Sequence, residues 1–217
     1  YTGEAVRVIS RQGSLAGFVN KPYGIAIDST EGHLYVCDYH NHRVQVFDKD
    51  SGVFIRSIGQ YGTAAGSAAG QFNEPISVAL DCDNNTVTVC DFLNDRLQVF
   101  NKSTGEYIRT IGGGTSGEFR GPRGVHIDHG SGLLFVTDRE DSVVKIYGSS
   151  TFQHLRTFGS GDSSLPFNRP TEMCVNVDAG TLLVVDAFNH RVLVIPVEEL
   201  QNEKYRLQEH AKALRAE

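Results

Sequence analysis

One hairpin pattern occurs four times along the chain, and this repetition limits the possible folds more than any other feature. Each copy has an apolar strand that ends in aspartate, a short polar turn, and a second strand in which polar and apolar side chains tend to alternate. Alternation with a period of two is typical of a β-strand with one covered face. The copies lie at residues 36–47, 89–100, 136–147 and 185–195, of which the third is the loosest.

A proline begins each repeat unit, at Pro22, Pro75, Pro122 and Pro170. In every unit the hairpin aspartate follows that proline by 16 positions, as Asp38 follows Pro22. The unit starts are 53, 47 and 48 residues apart, so the length varies only between units, where a surface loop can absorb it. Self-similarity at such a period predicts a repeat architecture whose neighbouring units pack on one another.

Each unit is predicted to form four short strands, because two further strand-like segments flank every hairpin. One sheet of four short strands cannot bury its own faces, whereas several sheets packed face to face around an axis can. We therefore predict an all-β fold, a β-propeller of four-stranded antiparallel blades over residues 1–195. The ring is either closed with four blades or part of a larger one. The blade units are expected to start near residues 22, 75, 122 and 170.

The two ends of the chain carry separate predictions. Residues 4–10 alternate like a strand and resemble the fourth strands of the other units, so we expect them to complete a blade, either the last one or a preceding one. Residues 196–217 have apolar side chains at spacings of three and four, which predicts a C-terminal helix. That helix is expected to dock on the propeller or lead into a further segment, or to dimerise as a short coiled coil.

The repeat resembles the NHL repeat, which has Gly-Ile-Ala-Val-Asp after a proline and then an aspartate, an asparagine and an arginine in its hairpin. Here the matching segments are 22–28 and 36–47, and Phe72 precedes Pro75 by three positions as the pattern requires. The resemblance covers residues 15–195. It implies a propeller, usually of six blades, that binds protein or RNA and often lies at the C-terminal end of multidomain proteins such as tripartite-motif ubiquitin ligases.

From this resemblance we expect a non-catalytic interaction scaffold whose propeller face binds a protein or peptide, as part of a larger ubiquitin-ligase-type protein. Two alternatives stay open. One is a lyase or lactonase-like hydrolase with a metal in its channel, and the other is an RNA-binding domain. The formal charge of −6 and the scattered Lys and Arg argue against DNA and disfavour RNA. No nucleotide-binding or hydrolase motif occurs.

Composition adds expectations about location. No apolar run approaches the roughly 20 residues that cross a bilayer, so no membrane partner is expected. Cys37 and Cys90 occupy the same strand position in two repeats, which indicates small buried residues and not a disulfide framework. Reduced thiols favour a cytoplasmic location. The chain begins at Tyr1 instead of methionine, so an upstream segment is possible.

The polar set that recurs in the hairpins is expected to be structural, because residues present in every blade cannot define a unique active site. Aspartate and asparagine cap tight turns, and arginine can bridge to a carboxylate. These repeat-turn residues are Asp38, Asn41, Arg43, Asp91, Asn94, Arg96, Asp138, Asp186, Asn189 and Arg191.

A partner site would instead use residues that differ between blades and lie at one mouth of the channel. Such residues follow the proline of each unit or occupy the turn between its second and third strands. Aromatic and basic side chains there predict a docking face for a peptide or protein, with a plain solvated rim as the alternative. The predicted rim residues are Tyr23, Tyr39, His40, Phe92, Arg123, Arg139 and Phe188.

Metal binding has one weak candidate pair. His126 and Cys174 stand where the other units have alanine, so they could face each other across the axis. Zinc normally takes three or four converging ligands, and no third is apparent in the sequence. We therefore expect a packed, hydrogen-bonded histidine, no cofactor and no catalytic residue.

Overall fold

The structure is a computed structural model that describes residues 7–59, 64–114, 116–159 and 166–198. Within these ranges the strands are β1 (Pro22–Asp28), β2 (His33–Asp38), β3 (Arg43–Asp48), β4 (Phe54–Ile58), β5 (Pro75–Asp81), β6 (Thr86–Asp91), β7 (Arg96–Asn101), β8 (Tyr107–Gly112), β9 (Pro122–Asp128), β10 (Leu133–Asp138), β11 (Val143–Gly148), β12 (His154–Phe158), β13 (Pro170–Asn176), β14 (Thr181–Asp186) and β15 (Arg191–Pro196).

The strands form four sheets in which each strand pairs with the next one along the chain. Sheet 1 contains β1 to β4, sheet 2 contains β5 to β8, and sheet 3 contains β9 to β12. Sheet 4 contains β13, β14 and β15. The predicted all-β class and the antiparallel four-stranded blades are therefore confirmed, with three strands described for the last sheet.

The hairpin register places the repeated charges opposite each other. Asp38 pairs with Arg43, and the same pairing joins Asp91 to Arg96 and Asp186 to Arg191. A single 3₁₀ turn connects the paired strands in sheets 1, 2 and 4. The residue after each of these turns has a positive φ, as His42 does at 52°. Carboxylate and guanidinium consequently lie side by side on neighbouring strands.

The first strand of each sheet begins at the unit's proline, and its pairing is irregular just after that proline in sheets 1, 2 and 4. In sheet 1 the pairing shifts between Pro22 and Ile25, and sheets 2 and 4 shift at the equivalent place. Proline has no N–H for the strand ladder, which accounts for its position at the strand start. Gly24 lies in this segment, and a Cβ there would come within 2.6 Å of the Ile76 carbonyl oxygen. Glycine is therefore required where β1 approaches β5.

The chain divides into two compact units, Tyr1–Val125 and His126–Glu217, and the division falls inside β9. In the first unit, sheets 1 and 2 share a buried core that contains Tyr35 and Val44 of sheet 1, Val78 and Leu80 of sheet 2, and Phe72 of the loop between them. Phe72 is buried, and full burial of a side chain of this size contributes about 1.5–3 kcal/mol. The phenylalanine that precedes the proline thus anchors the connection between the two sheets.

The second unit repeats this packing with sheets 3 and 4. Phe135 and Ile146 of sheet 3 share a core with Met173 and Val184 of sheet 4, and Phe167 packs among them. Phe167 has the same place before its proline as Phe72 has in the first unit. In both units, side chains from two consecutive sheets therefore form one shared core, and the phenylalanine before the second sheet's proline packs within it.

The predictions for the chain ends fall partly outside the described residues. Within the predicted strand 4–10, residues 7–10 are not in a strand, and the preceding residues lie outside the described ranges. The predicted helix 196–217 lies almost entirely beyond residue 198, and Pro196 belongs to β15 instead of starting that helix. No helix in the described part of the chain is long and apolar enough to span a membrane.

Candidate partner-binding site

The repeat-turn residues form a closed hydrogen-bond network, seen most completely in sheet 2. Asp91 Oδ2 accepts from Arg96 Nε at 2.6 Å, Asn94 Nδ2 at 2.9 Å and Gln98 Nε2 at 3.0 Å. Its Oδ1 accepts from the backbone N–H of Asn73 at 2.7 Å. The two NH groups of Arg96 donate to three backbone carbonyls of the loop 67–71. The network therefore ties the incoming loop to the hairpin.

Sheets 1 and 4 repeat the network with small changes. Asp38 accepts from Asn41 and Arg43, and Asp186 accepts from Asn189 and Arg191 at 2.8 Å each. In all three sheets the aspartate also holds the backbone N–H of the residue two before the unit's proline.

Sheet 3 replaces this network with a different one. Val143 stands where the other sheets have arginine, and Lys145 Nζ instead donates to Asp138 Oδ2 at 2.7 Å. The same ammonium contacts Asp141 Oδ2 at 3.3 Å. Lys145 occupies the position of Gln45 and Gln98 in the first two sheets, and its ammonium replaces the missing guanidinium.

The pKa values of Asp91 and Asp186 are shifted in opposite directions. Burial raises the pKa of Asp91, and the hydrogen bonds from Asn73, Asn94 and Arg96 oppose that shift. Burial also raises the pKa of Asp186, but the donors Asn168, Asn189 and Arg191 outweigh it and lower the pKa. Both side chains are buried, and their oxygens already accept hydrogen bonds from backbone and side-chain donors, so they are not available to a ligand.

Two predicted rim residues meet at the end of sheet 1, where Pro22 pairs with Asp38. The rings of Tyr23 and Tyr39 lie 4.8 Å apart between centroids. Lys21 Nζ lies 5.2 Å from the Tyr39 centroid and 5.8 Å from that of Tyr23, within the range of a cation–π contact. Tyr23 is 44% exposed, so this aromatic pair presents a face to solvent.

Glu74 of the next repeat completes the arrangement. The hydroxyl of Tyr39 donates to Glu74 Oε2, and the Glu74 N–H donates to His42 Nδ1 at 3.0 Å. Burial and the bond to Glu74 raise the pKa of Tyr39, while the nearby charge of Arg123 opposes that shift. We call Lys21, Tyr23, Tyr39 and Glu74 the Tyr23–Tyr39 cluster.

The other rim residues are placed less uniformly. The ring of His40 lies 5.1 Å from that of Tyr39 and is exposed, whereas Phe92 is half-buried. In the second unit Arg139 lies 5.9 Å and Arg169 lies 5.0 Å from the Phe188 centroid. Both arginines also pair with Glu140. The structure therefore shows an aromatic and cationic cluster in each unit.

Reasoning from the sequence missed Lys21, Glu74 and Arg169, which come directly before the repeat prolines. All three have a positive φ, at 52°, 56° and 52°. Proline disfavours many backbone conformations in the preceding residue, and a left-handed conformation is costly for residues other than glycine. The third repeat has Gly121 at this position. Three repeats have a charged residue directly before the proline, where the third repeat has glycine, and this difference is the sequence signal that could have identified the position.

The metal candidates do not assemble a ligand set in the described residues. Neither His126 nor Cys174 belongs there to a group of three converging His, Cys, Asp or Glu ligands. Burial lowers the pKa of His126, and Cys174 is exposed. Cys37 lies in β2 and Cys90 in β6, and both side chains are buried.

Each sheet begins at a proline, and a buried aspartate accepts hydrogen bonds at its hairpin turn. Consecutive antiparallel sheets of this kind are typical of β-propeller repeat proteins. Residues 19–47 match the NHL repeat family, which confirms the predicted resemblance and shows that the chain carries an NHL repeat.

Two known proteins illustrate the sequence similarity. Peptidyl-glycine alpha-amidating monooxygenase B of Xenopus laevis is 33% identical over 92 residues, which is 42% of this chain and 10% of that protein. RING finger protein nhl-1 of Caenorhabditis elegans is 44% identical over 79 residues, which is 35% of this chain and 8% of that protein. The chain thus spans about a tenth of the length of the curated relatives that it matches.

Solved structures show the same fold at low identity. Hydrazine synthase of Kuenenia stuttgartiensis superposes with a TM-score of 0.63 at 16% identity, covering 92% of this chain and 50% of that chain. A chain of a nidogen/laminin complex gives a TM-score of 0.64 at 18% identity, covering 81% and 60%. At these identities the likeness concerns the fold alone.

Proposed function

We propose that the chain is a non-catalytic interaction scaffold that binds a peptide or protein segment at the Tyr23–Tyr39 cluster. The observation that carries this proposal is the pair of tyrosine rings, the exposed Tyr23 against the half-buried Tyr39, with the Lys21 ammonium near both of them. Exposed aromatic side chains beside cations are typical of binding hot spots, because they bury a large area and lose little conformational entropy.

The charges around the cluster favour an acidic partner segment. Lys21, Arg123 and His40 supply positive or ionisable groups, whereas the carboxylate of Glu74 already accepts the hydrogen bond of the Tyr39 hydroxyl. A peptide that offers a carboxylate and an apolar side chain would complement these groups.

The Lys21→Gly variant is expected to lose partner binding without losing stability. Glycine relieves the positive φ and removes the ammonium, so we expect an unchanged or raised melting temperature together with about tenfold weaker partner binding. Differential scanning calorimetry and affinity capture on the same preparations measure both effects. A stability loss with unchanged binding would contradict the proposal.

The capture experiment compares the wild type with Arg123→Glu and with the matched control Arg11→Glu, an exposed arginine of the same unit. Lysate is passed over each tagged chain with and without nuclease, and acidic peptides are selected from a displayed library. We expect nuclease-resistant protein and acidic peptides to be lost only with Arg123→Glu. Capture that disappears with nuclease would replace the proposal with RNA binding.

Similarity to a RING finger protein supports a place for this scaffold in a larger, ubiquitin-ligase-type protein. The similarity to amidating monooxygenases, whose name refers to peptidyl-glycine, favours a second candidate, an enzyme acting on peptides. Mass spectrometry of a glycine-ended peptide before and after incubation with the chain distinguishes the two. A change in peptide mass that depends on the chain would favour the enzyme.

A further inference from the structure

A lysine of sheet 2 fills a buried acidic slot in the first unit. Lys102 is 3% exposed, and its ammonium donates to Asp28 Oδ2 and, at 2.8 Å, to Glu31 Oε1. Asp28 ends the first strand of sheet 1, and its other oxygen accepts from the backbone N–H of Thr30 at 2.9 Å. The slot is thus a cation site between two consecutive sheets, and the protein supplies its own cation.

The repeat places Val197 of the second unit where Lys102 stands in the first. The Lys102 N–H donates to the carbonyl of Asn85 at 2.9 Å, and the Val197 N–H donates to that of Gly180 at 2.8 Å, in the same place after the third strand. Asp128 follows its proline by six positions, as Asp28 does. The acidic residue is therefore retained in the second unit while the lysine is replaced by valine.

A cavity of about 180 Å³ lies where the ammonium and its stem would be. Asp128 is only 8% exposed, and Ser131, which replaces Glu31, has a buried Oγ without a hydrogen-bond partner among the described residues. Val177 is 76% exposed, so the cavity reaches the surface. The residues lining it are Asp128, Gly130, Ser131, Val175, Val177, Gly180, Val197 and Glu198.

We propose that this cavity binds the primary alkylammonium group of an external ligand, in the way that the first unit holds Lys102. The ammonium would donate to the Asp128 carboxylate, the Ser131 hydroxyl and the Glu198 carboxylate, and its alkyl stem would pack on the three valines. An apolar cavity of about 150 Å³ accommodates benzene, so this volume suits a butyl chain. A lysine side chain and a free alkylamine share this chemistry.

The lining disfavours a metal ion as the ligand. Calcium takes six to eight oxygen ligands, whereas much of this cavity is lined by valine. An alkylammonium uses both parts of the lining, because three N–H donors meet the polar end and methylene groups meet the valines.

The test is a titration of the whole 217-residue chain with n-butylammonium chloride, followed by calorimetry and by the NMR signals of the lining valines. Tetramethylammonium chloride, which has the charge but no N–H donor, and calcium chloride are titrated in parallel. Three variants are compared: Val197→Lys, Asp128→Asn, and Val192→Lys, which adds the same charge at the other end of β15.

We expect butylammonium to bind the wild type and Val192→Lys with a dissociation constant on the order of millimolar, with at least tenfold weaker binding to Asp128→Asn. Val197→Lys should abolish binding and raise the melting temperature, because its side chain would occupy the slot. Equal binding by Val197→Lys and the wild type, or equal responses to tetramethylammonium, would overturn the proposal. A response to calcium alone would replace it with a metal site.

Discussion

Replacing Asp91 with alanine is expected to lower the free energy of unfolding by about 3–5 kcal/mol. The substitution removes the carboxylate that Arg96, Asn94 and Gln98 share, and it leaves a buried guanidinium without its counter-charge. The N–H of Asn73 loses its acceptor as well. A change of this size lowers the melting temperature by about 10 °C in a chain of this length.

Urea denaturation measures this loss, and Asp48→Ala is the matched control. Asp48 also caps a turn, where its Oδ1 accepts from Ser51, but that network is exposed. We expect the control to change the unfolding free energy much less than Asp91→Ala does. Equal losses in the two variants would mean that the repeat turn does not contribute more than an ordinary surface cap, contrary to its predicted structural role.

Lys102→Met is expected to cost a similar amount, about 3–5 kcal/mol, because it leaves the Asp28 carboxylate buried without a cation. Lys49→Met is its matched control. Lys49 has the equivalent place in the first repeat, and its N–H donates to the Gly32 carbonyl. Its ammonium pairs with the exposed Asp50, so the control should lose less than about 1 kcal/mol.

The penalty of Lys102→Met should depend on pH. Burial raises the pKa of Asp28, but hydrogen bonds from Lys102, Thr30 and the Glu31 N–H outweigh it and hold the pKa well below its usual range. A carboxyl whose pKa is lower in the folded state stabilises the fold above its unfolded value, about 3.9, and loses that contribution as the pH falls. The difference between wild type and variant should therefore shrink below about pH 4.

Unfolding free energies measured from acid to neutral pH check this dependence. In the variant, Asp28 lacks the Lys102 hydrogen bond that lowers its pKa while burial still raises that pKa, so the carboxyl takes up its proton in the folded state at a higher pH than in the wild type. A penalty that stays constant as the pH falls below about 4 would show that the ion pair does not cause the stability difference.

The repeated hairpin could be predicted from the sequence because its determinants are local. Alternation along a strand sets which side chains face the core, and the constant distance from Pro22 to Asp38 sets the pairing of the first two strands. The phenylalanine three positions before the proline recurs at Phe72, Phe119 and Phe167, and all three are buried. Phe18 stands four positions before Pro22 instead, and it is exposed.

The contact between Lys102 and Asp28 and the cavity beside Asp128 could not be predicted from the sequence, because both depend on tertiary structure. Lys102 meets Asp28 from 74 positions away, and no local pattern links a lysine after a third strand to an aspartate of the preceding repeat. Likewise, the cavity beside Asp128 becomes visible only when the two sheets are packed and Val197 is seen in the place of a lysine.

The sequence by itself thus determined the all-β class, the repeat boundaries and the hairpin turns, because strand periodicity and turn chemistry act over a few residues. Only the tertiary structure decided that Lys21 lies over two tyrosine rings and that Glu74 reaches the hydroxyl of Tyr39. Those contacts depend on a left-handed backbone before a proline and on the packing of one repeat against the next. Side chains far apart in the chain are brought together by that packing, which local propensity does not specify.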